Sequence, residues 1–186
     1  MKKTKMLLLN LLLFVALLAI YGLASFVLNQ VHLAFMHSVL YPFLAIETIL
    51  GLALIVQTIQ LLFRLALEKE RKKPVRILAG IGSVAIALLF VLSFVYIPFL
   101  VAFGHEREHV VEKDGKKMVA YVNSFQQVMV YYYDYKNPFV RGNQLKIMID
   151  GGNGGYDPFQ NGSGPYVRRY EYYDDNGKTI KSNWAG

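Results

Sequence analysis

Three apolar runs, at 6–28, 43–63 and 77–103, constrain this chain more than any other feature of its sequence. A helix crosses the hydrocarbon core of a bilayer with about 20 apolar residues, because each residue advances it 1.5 Å. All three runs reach that length. The third carries 27 residues without a charge, and the second is interrupted only by Glu47, Gln57 and Gln60. The chain is 54% hydrophobic over 186 residues, and concentrating that content in the first 103 is unlike a single soluble domain. The expected fold class is an α-helical membrane region with three transmembrane helices, followed by a small, mainly antiparallel β extracytoplasmic domain. The helices are expected over about 6–28, 43–67 and 77–103 within a membrane domain at 1–103, leaving 104–186 for the β domain. The length of the third run also allows its helix to tilt, or to end early near Pro98.

Charge sets the expected orientation. The opening MKKTK holds three lysines, and the loop at 64–76, RLALEKERKKPVR, holds six basic residues. The loop at 29–42, NQVHLAFMHSVLYP, holds none. Basic residues in short loops stay cytoplasmic, so the amino terminus and the second loop are expected inside, and 104–186 outside. The net charge of +7 follows the same division. Residues 1–103 carry nine Lys/Arg against three Asp/Glu, and 104–186 carry eleven against ten. Topology therefore accounts for the basic excess, and nucleic acid is not an expected partner. With no cysteine, disulfides and thiolate metal sites are excluded. The first run also fits a cleaved signal peptide ending at Gly22-Leu23-Ala24. Its continuation through Phe26, Val27 and Leu28 favours an uncleaved anchor.

Two features inside the runs are candidates for specific contacts. Glu47 lies in the second span, where an ionisable residue is costly. Ala79, Ser83 and Ala87 recur every fourth residue, a small-residue face that lets a neighbouring helix approach closely.

Beyond residue 109 the pattern changes to short alternating runs with turn signals. Asp114-Gly115 is a hairpin signal between 110–112 and 118–122. Strands are expected at 128–135, 145–150, 166–173 and 179–180, with breaks at Asn137-Pro138 and Asn176-Gly177. Five or six short strands make a small antiparallel sheet or a partly closed barrel. The domain holds ten tyrosines. Alternation sets Tyr132 on the opposite face from Tyr131 and Tyr133. Tyr131, Tyr133, Tyr170 and Tyr172, with Arg168 and Arg169, form a candidate binding set, since tyrosine offers rigid amphipathic contact area. The expected partners are the lipid bilayer and an extracytoplasmic or membrane protein.

His105, Glu106 and His109 spell His-Glu-x-x-His. On a helix, that spacing aims both imidazoles at one zinc ion while the glutamate polarises its water. The five letters resemble the zinc site of gluzincin-type metallopeptidases, which implies Glu106 as the catalytic residue and a later glutamate as third ligand. No such ligand is apparent: Glu112 is too near, Glu171 lies in a strand-like run, and no histidine follows His109. A second arrangement places His32 and His37 of the first loop beside His105 and His109 at the outer leaflet, as a metal or pH sensor. The stretch DGGNGGYDPF, at 150–159, resembles one calcium-binding nonapeptide of the repeat-in-toxin type. Those sites share ions between stacked repeats, and only one copy is present. A flexible glycine loop contacting a partner is the alternative.

These observations point to a non-enzymatic integral membrane protein of a bacterial plasma membrane that needs no cofactor. Its outward β domain is expected to bind an extracytoplasmic partner, as an accessory or sensing subunit or an immunity-type protection factor. A membrane-bound zinc metallopeptidase is the first alternative, and a histidine-cluster sensor the second.

Overall fold

A computed structural model of the protein describes residues 2–104, 106–160 and 164–183, with backbone only at 2, 3 and 93–104. In chain order the elements are α1 (Lys2–Gln30), β1 (Leu33–Phe35), α2 (His37–Leu67), α3 (Lys73–Gly104), β2 (Arg107–Lys113), β3 (Lys116–Asn123), β4 (Gln127–Asn137), β5 (Val140–Asn153), β6 (Arg169–Tyr173) and β7 (Thr179–Ser182). Three long apolar helices thus precede an antiparallel sheet, as expected of the fold class. The chain forms two compact units, one of Met1–Leu23 with Tyr41–Ala102 and one of Ala24–Leu40 with Phe103–Gly186.

Within the helical unit, the side chains of Leu12, Ile49 and Leu89 among many others are exposed. Helices that face lipid rather than water require that arrangement, and three helices are long and apolar enough to cross a membrane. Tyr21 of α1 stacks on Phe43 of α2, with ring centroids 4.0 Å apart. Gly82 of α3 faces Leu62 of α2, where a Cβ would lie 3.5 Å from Leu62 Cδ1, an ordinary packing distance.

Two helix starts differ from the sequence reading. The third helix begins at Lys73 rather than 77, and runs on through Pro98 to Gly104. The second starts at His37 rather than 43, with Pro42 inside it. Proline removes a single helical donor near the helix start, and the added turn has its remaining donors satisfied. Val39 N and Leu40 N donate to Met36 O at 3.0 and 3.1 Å, and His37 N donates to the Glu108 carboxylate.

The sheet runs in the order β2-β3-β4-β5-β6-β7, every neighbour antiparallel. Asp114 and Gly115 close the β2–β3 hairpin with φ of 52° and 72°, a geometry that two-residue turns between right-twisted strands require. At the β4–β5 turn, Asn137 Oδ1 accepts from Phe139 N and Val140 N, both at 2.9 Å. β5 is 14 residues long, so one edge accommodates two partners. Ile147 to Asp150 pair with β6, while residues 140–142 pair with β1. The seventh strand therefore comes from the short connection between α1 and α2, where no strand was expected.

Alternation divides the sheet into two faces. One carries Met118, Ala120, Val130, Tyr132, Ile147 and Ile149, with Phe159 packed over it. The other carries Val119 and Tyr121, joined by Met36, with Tyr131, Tyr133 and Tyr135 half-buried around them. Tyr132 does point away from Tyr131 and Tyr133. Val119, Val128 and Val130 are fully enclosed, and each such side chain contributes about 1.5–3 kcal/mol relative to an exposed one. Register shifts along β4 and β5 add local twist. The curled sheet brings the Tyr172 hydroxyl of β6 to Asp114 Oδ2 in the β2–β3 turn, at 2.9 Å.

The glycine segment after β5 is built rather than loose. Gly154 N donates to Gln126 O at 3.0 Å and Gly155 N to Ser124 O at 2.6 Å. A Cβ on Gly154 would lie 2.6 Å from Ser124 O, so only glycine permits this approach.

Candidate functional site

Two carboxylates organise the sheet unit, one on each face. Glu108, on β2 opposite Tyr121 of β3, accepts the Tyr121 hydroxyl and, at 2.9 Å, the backbone N–H of His37. Arg141 Nε donates to the Tyr121 oxygen at 3.1 Å, and the guanidinium lies over the Tyr133 ring at 3.9 Å from its centroid. Burial, and then the hydrogen bond to Glu108, push the Tyr121 phenol well above its usual range, against the pull of Arg141. Burial raises Tyr133 as well, again opposed by Arg141. The result is a polar chain, Arg141–Tyr121–Glu108–His37, joining the α1–α2 connection to the sheet.

Asp157 occupies the other face. Its Oδ2 lies 2.9 Å from His109 Nε2 and 3.4 Å from Arg107 Nη1, and its Oδ1 accepts Phe159 N at 3.0 Å. Burial works to raise its pKa. The bonds from Phe159 N, His109 and Arg107 outweigh burial and hold the carboxyl below its ordinary range. These contacts pin the segment after β5 to β2 and press Phe159 onto the core, 5.0 Å from the His109 ring.

Between β2 and that segment lies a cleft of about 570 Å³, walled by His109, Val111, Tyr132, Ile149, Phe159 and Val167. β2 is an end strand, paired only with β3 among the described residues, so one of its backbone edges is left out of the ladder.

The structure separates several residues that the sequence groups together. Tyr131 and Tyr133 lie on the Glu108 face, whereas Tyr170 and Tyr172 pack against the opposite core. Arg168 and Arg169 are exposed at the start of β6. Lys181 lies 5.5 and 5.6 Å over the rings of Tyr170 and Tyr172, and burial with the Asp114 bond pushes Tyr172 up to about 12.

The helical zinc geometry is not formed. α3 ends at Gly104, β2 begins at Arg107, and His109 is a strand residue committed to Asp157. Glu106 and His109 therefore share no helical face, and His105 lies outside the described residues. Nor do the described histidines gather into one cluster. His37 belongs to the Glu108 face and His109 to the Asp157 face. His32 takes φ 58° in the turn before β1, its carbonyl accepting Asn143 N at 3.0 Å. Among the described residues no three His, Asp or Glu side chains are placed to hold a metal ion. The nonapeptide-like stretch is likewise spent internally: Asp150 Oδ1 accepts Gly152 N at 2.8 Å, and Asp157 is engaged by Arg107 and His109.

In the helical unit Glu47 and Ser83 are buried, and among the described residues both Glu47 carboxylate oxygens are without a hydrogen-bond partner. Ala79 is buried and Ala87 half-buried along the same face of α3.

Of the residues central to the site, Arg141 and Tyr121 were not singled out by the sequence, and Asp157 entered only as part of the nonapeptide-like stretch. Tyr121 alternates with Val119 in β3 like any strand residue, and the partners of all three are distant in the chain. No local signal marks them.

Comparison with protein-family models, with curated proteins and with solved structures found no match to this chain. What the fold defines is a membrane protein with three apolar helices and an antiparallel sheet domain.

Proposed function

We propose that this is a non-enzymatic membrane protein whose sheet unit faces outward from a bacterial plasma membrane and binds an extended segment of a partner protein there. It would act as an accessory or sensing subunit or as an immunity-type protection factor. The observation that carries the reading is the cleft alongside β2. It joins a mixed lining, apolar at Val111, Tyr132 and Phe159 and charged at Glu112 and Lys113, to a backbone edge that is outside the ladder among the described residues. An extended peptide gains main-chain hydrogen bonds from such an edge and side-chain specificity from the adjoining pocket.

Outward orientation rests on the basic residues flanking the helices, which favour a cytoplasmic amino terminus and α2–α3 loop. The β1–β5 pairing agrees with it. Strands cannot pair across a bilayer, so the α1–α2 connection and the chain after α3 share one side of any membrane the helices cross.

Two measurements in intact cells test the reading. The chain lacks cysteine, so Lys178→Cys gives a single thiol on an exposed turn. We expect a membrane-impermeant maleimide to label it without permeabilisation; labelling only after lysis overturns the orientation. A photo-crosslinking residue at Val110 or Lys113 is expected to yield one discrete protein adduct, unchanged by Glu106→Gln. Absence of an adduct at both positions overturns partner binding at the cleft.

A further inference from the structure

The helical unit contains a second cavity, of about 620 Å³, between the start of α1 and the last three turns of α2. Its walls are mostly apolar, from Met6, Leu7, Leu9 and Leu61, and its polar groups are Lys5, Arg64, Gln57 and Gln60. The charges are not scattered. Arg64 follows Gln57 by seven residues, so along α2 it stands about 10 Å nearer the helix end. Lys5 stands at the corresponding end of α1. The cavity is therefore cationic toward the helix ends and mostly apolar beyond them, with Gln57 the farthest polar group from Arg64. Among the described residues Gln57 Oε1 is buried with no hydrogen-bond partner, so its amide still has a polar contact to offer. Turned over about its last torsion, that amide presents N–H instead of oxygen at the same place.

We propose that this cavity is a binding site for one anionic phospholipid. Lys5 and Arg64 take the phosphate, Gln60, about 6 Å from Arg64 along α2, faces the ester region, and Met6, Leu7, Leu9 and Leu61 line an acyl chain. A zwitterionic lipid supplies the acyl chain but sets its own cation against Lys5 and Arg64. Basic pockets between membrane helices near the headgroup level recognise anionic lipids in this way. Lipid held there would brace the start of α1 against the end of α2.

The test uses the full chain purified in a mild detergent and supplied with equimolar phosphatidylglycerol and phosphatidylcholine of matched acyl chains. Bound lipid is then read by native mass spectrometry. One phosphatidylglycerol per chain is expected, retained at least fivefold over phosphatidylcholine. Lys5→Gln with Arg64→Gln is expected to abolish the preference. Lys69→Gln with Lys72→Gln removes the same charge outside the cavity and leaves the preference intact. Leu61→Trp keeps both charges but fills the cavity, and is expected to lose the lipid, so a folding failure of one variant does not decide the matter. Equal retention of the two lipids, or equal loss in the Lys69/Lys72 variant, overturns the site. Displacement by millimolar inorganic phosphate would point to a free-anion site and overturn the lipid assignment.

Discussion

Glu108 accepts the backbone N–H of His37 at 2.9 Å, across 71 residues of sequence. His37 is the first residue of α2, whose own first turn holds no acidic side chain. A helix start leaves N–H groups without intrahelical acceptors and carries partial positive charge, so an anion placed there stabilises it. Glu108 also accepts the Tyr121 hydroxyl, so one carboxylate joins a helix start, the sheet and, through Tyr121, Arg141.

Glu108→Ala should free the α2 start from β2 and leave Tyr121 without its acceptor. Loss of a charged acceptor costs about 1.5–3 kcal/mol. The expected outcome is faster amide exchange over residues 33–40 and a lower melting temperature. Glu108→Gln, which keeps an oxygen in place, should lose less. Exchange over 33–40 unchanged in the alanine variant would show that β1 pairing alone holds the segment.

Gly154→Ala sets a methyl group 2.6 Å from Ser124 O and 2.7 Å from Gln126 C, both backbone atoms that cannot step aside as a side chain can. A destabilisation of about 1–3 kcal/mol is expected from such overpacking. Gly152→Ala meets nothing within 4 Å but has φ 86°, so its cost is backbone strain instead. Thermal unfolding of the two variants checks the order, with Gly154→Ala expected to melt lower.

Asp157 predicts acid sensitivity of the cleft wall. Its folded pKa lies below the ordinary 3.8, so the unfolded chain binds this proton more readily than the folded one. The stabilisation is fully present above the ordinary value and is lost as pH falls through the lower, folded value. Amide exchange near Phe159 should therefore rise on acidification below about pH 4. Asp157→Asn should show raised exchange already at neutral pH and a weaker dependence on acid.

Glu47 predicts a gain rather than a loss. A buried carboxyl with no hydrogen-bond partner costs about 1–3 kcal/mol, so Glu47→Leu is expected to raise the melting temperature in detergent. Should Glu47→Leu melt lower than the parent while Glu47→Gln does not, the carboxyl has a hydrogen-bonding role in the assembled membrane protein.

The apolar runs, the Asp114-Gly115 hairpin and the opposed facing of Tyr132 and Tyr131 were legible because each depends on neighbours within a few residues. Run length decides whether a helix can span, two positive φ values decide a tight turn, and a period of two decides which face a strand residue takes. The His-Glu-x-x-His letters misled for the same reason. Their chemistry needs a helix, and the chain changes to strand between Gly104 and Arg107.

By itself, the sequence determined where the helices and most strands lie, since hydrophobic length and alternation are properties of contiguous residues. Tertiary structure alone decided that Leu33–Phe35 joins β5, that Glu108 meets His37 and Tyr121, and that Asp157 clasps His109 and Arg107. Each of these joins groups from 13 to more than 100 residues apart, paired by the curl of the sheet and by the short connection above α1, and no local pattern encodes them.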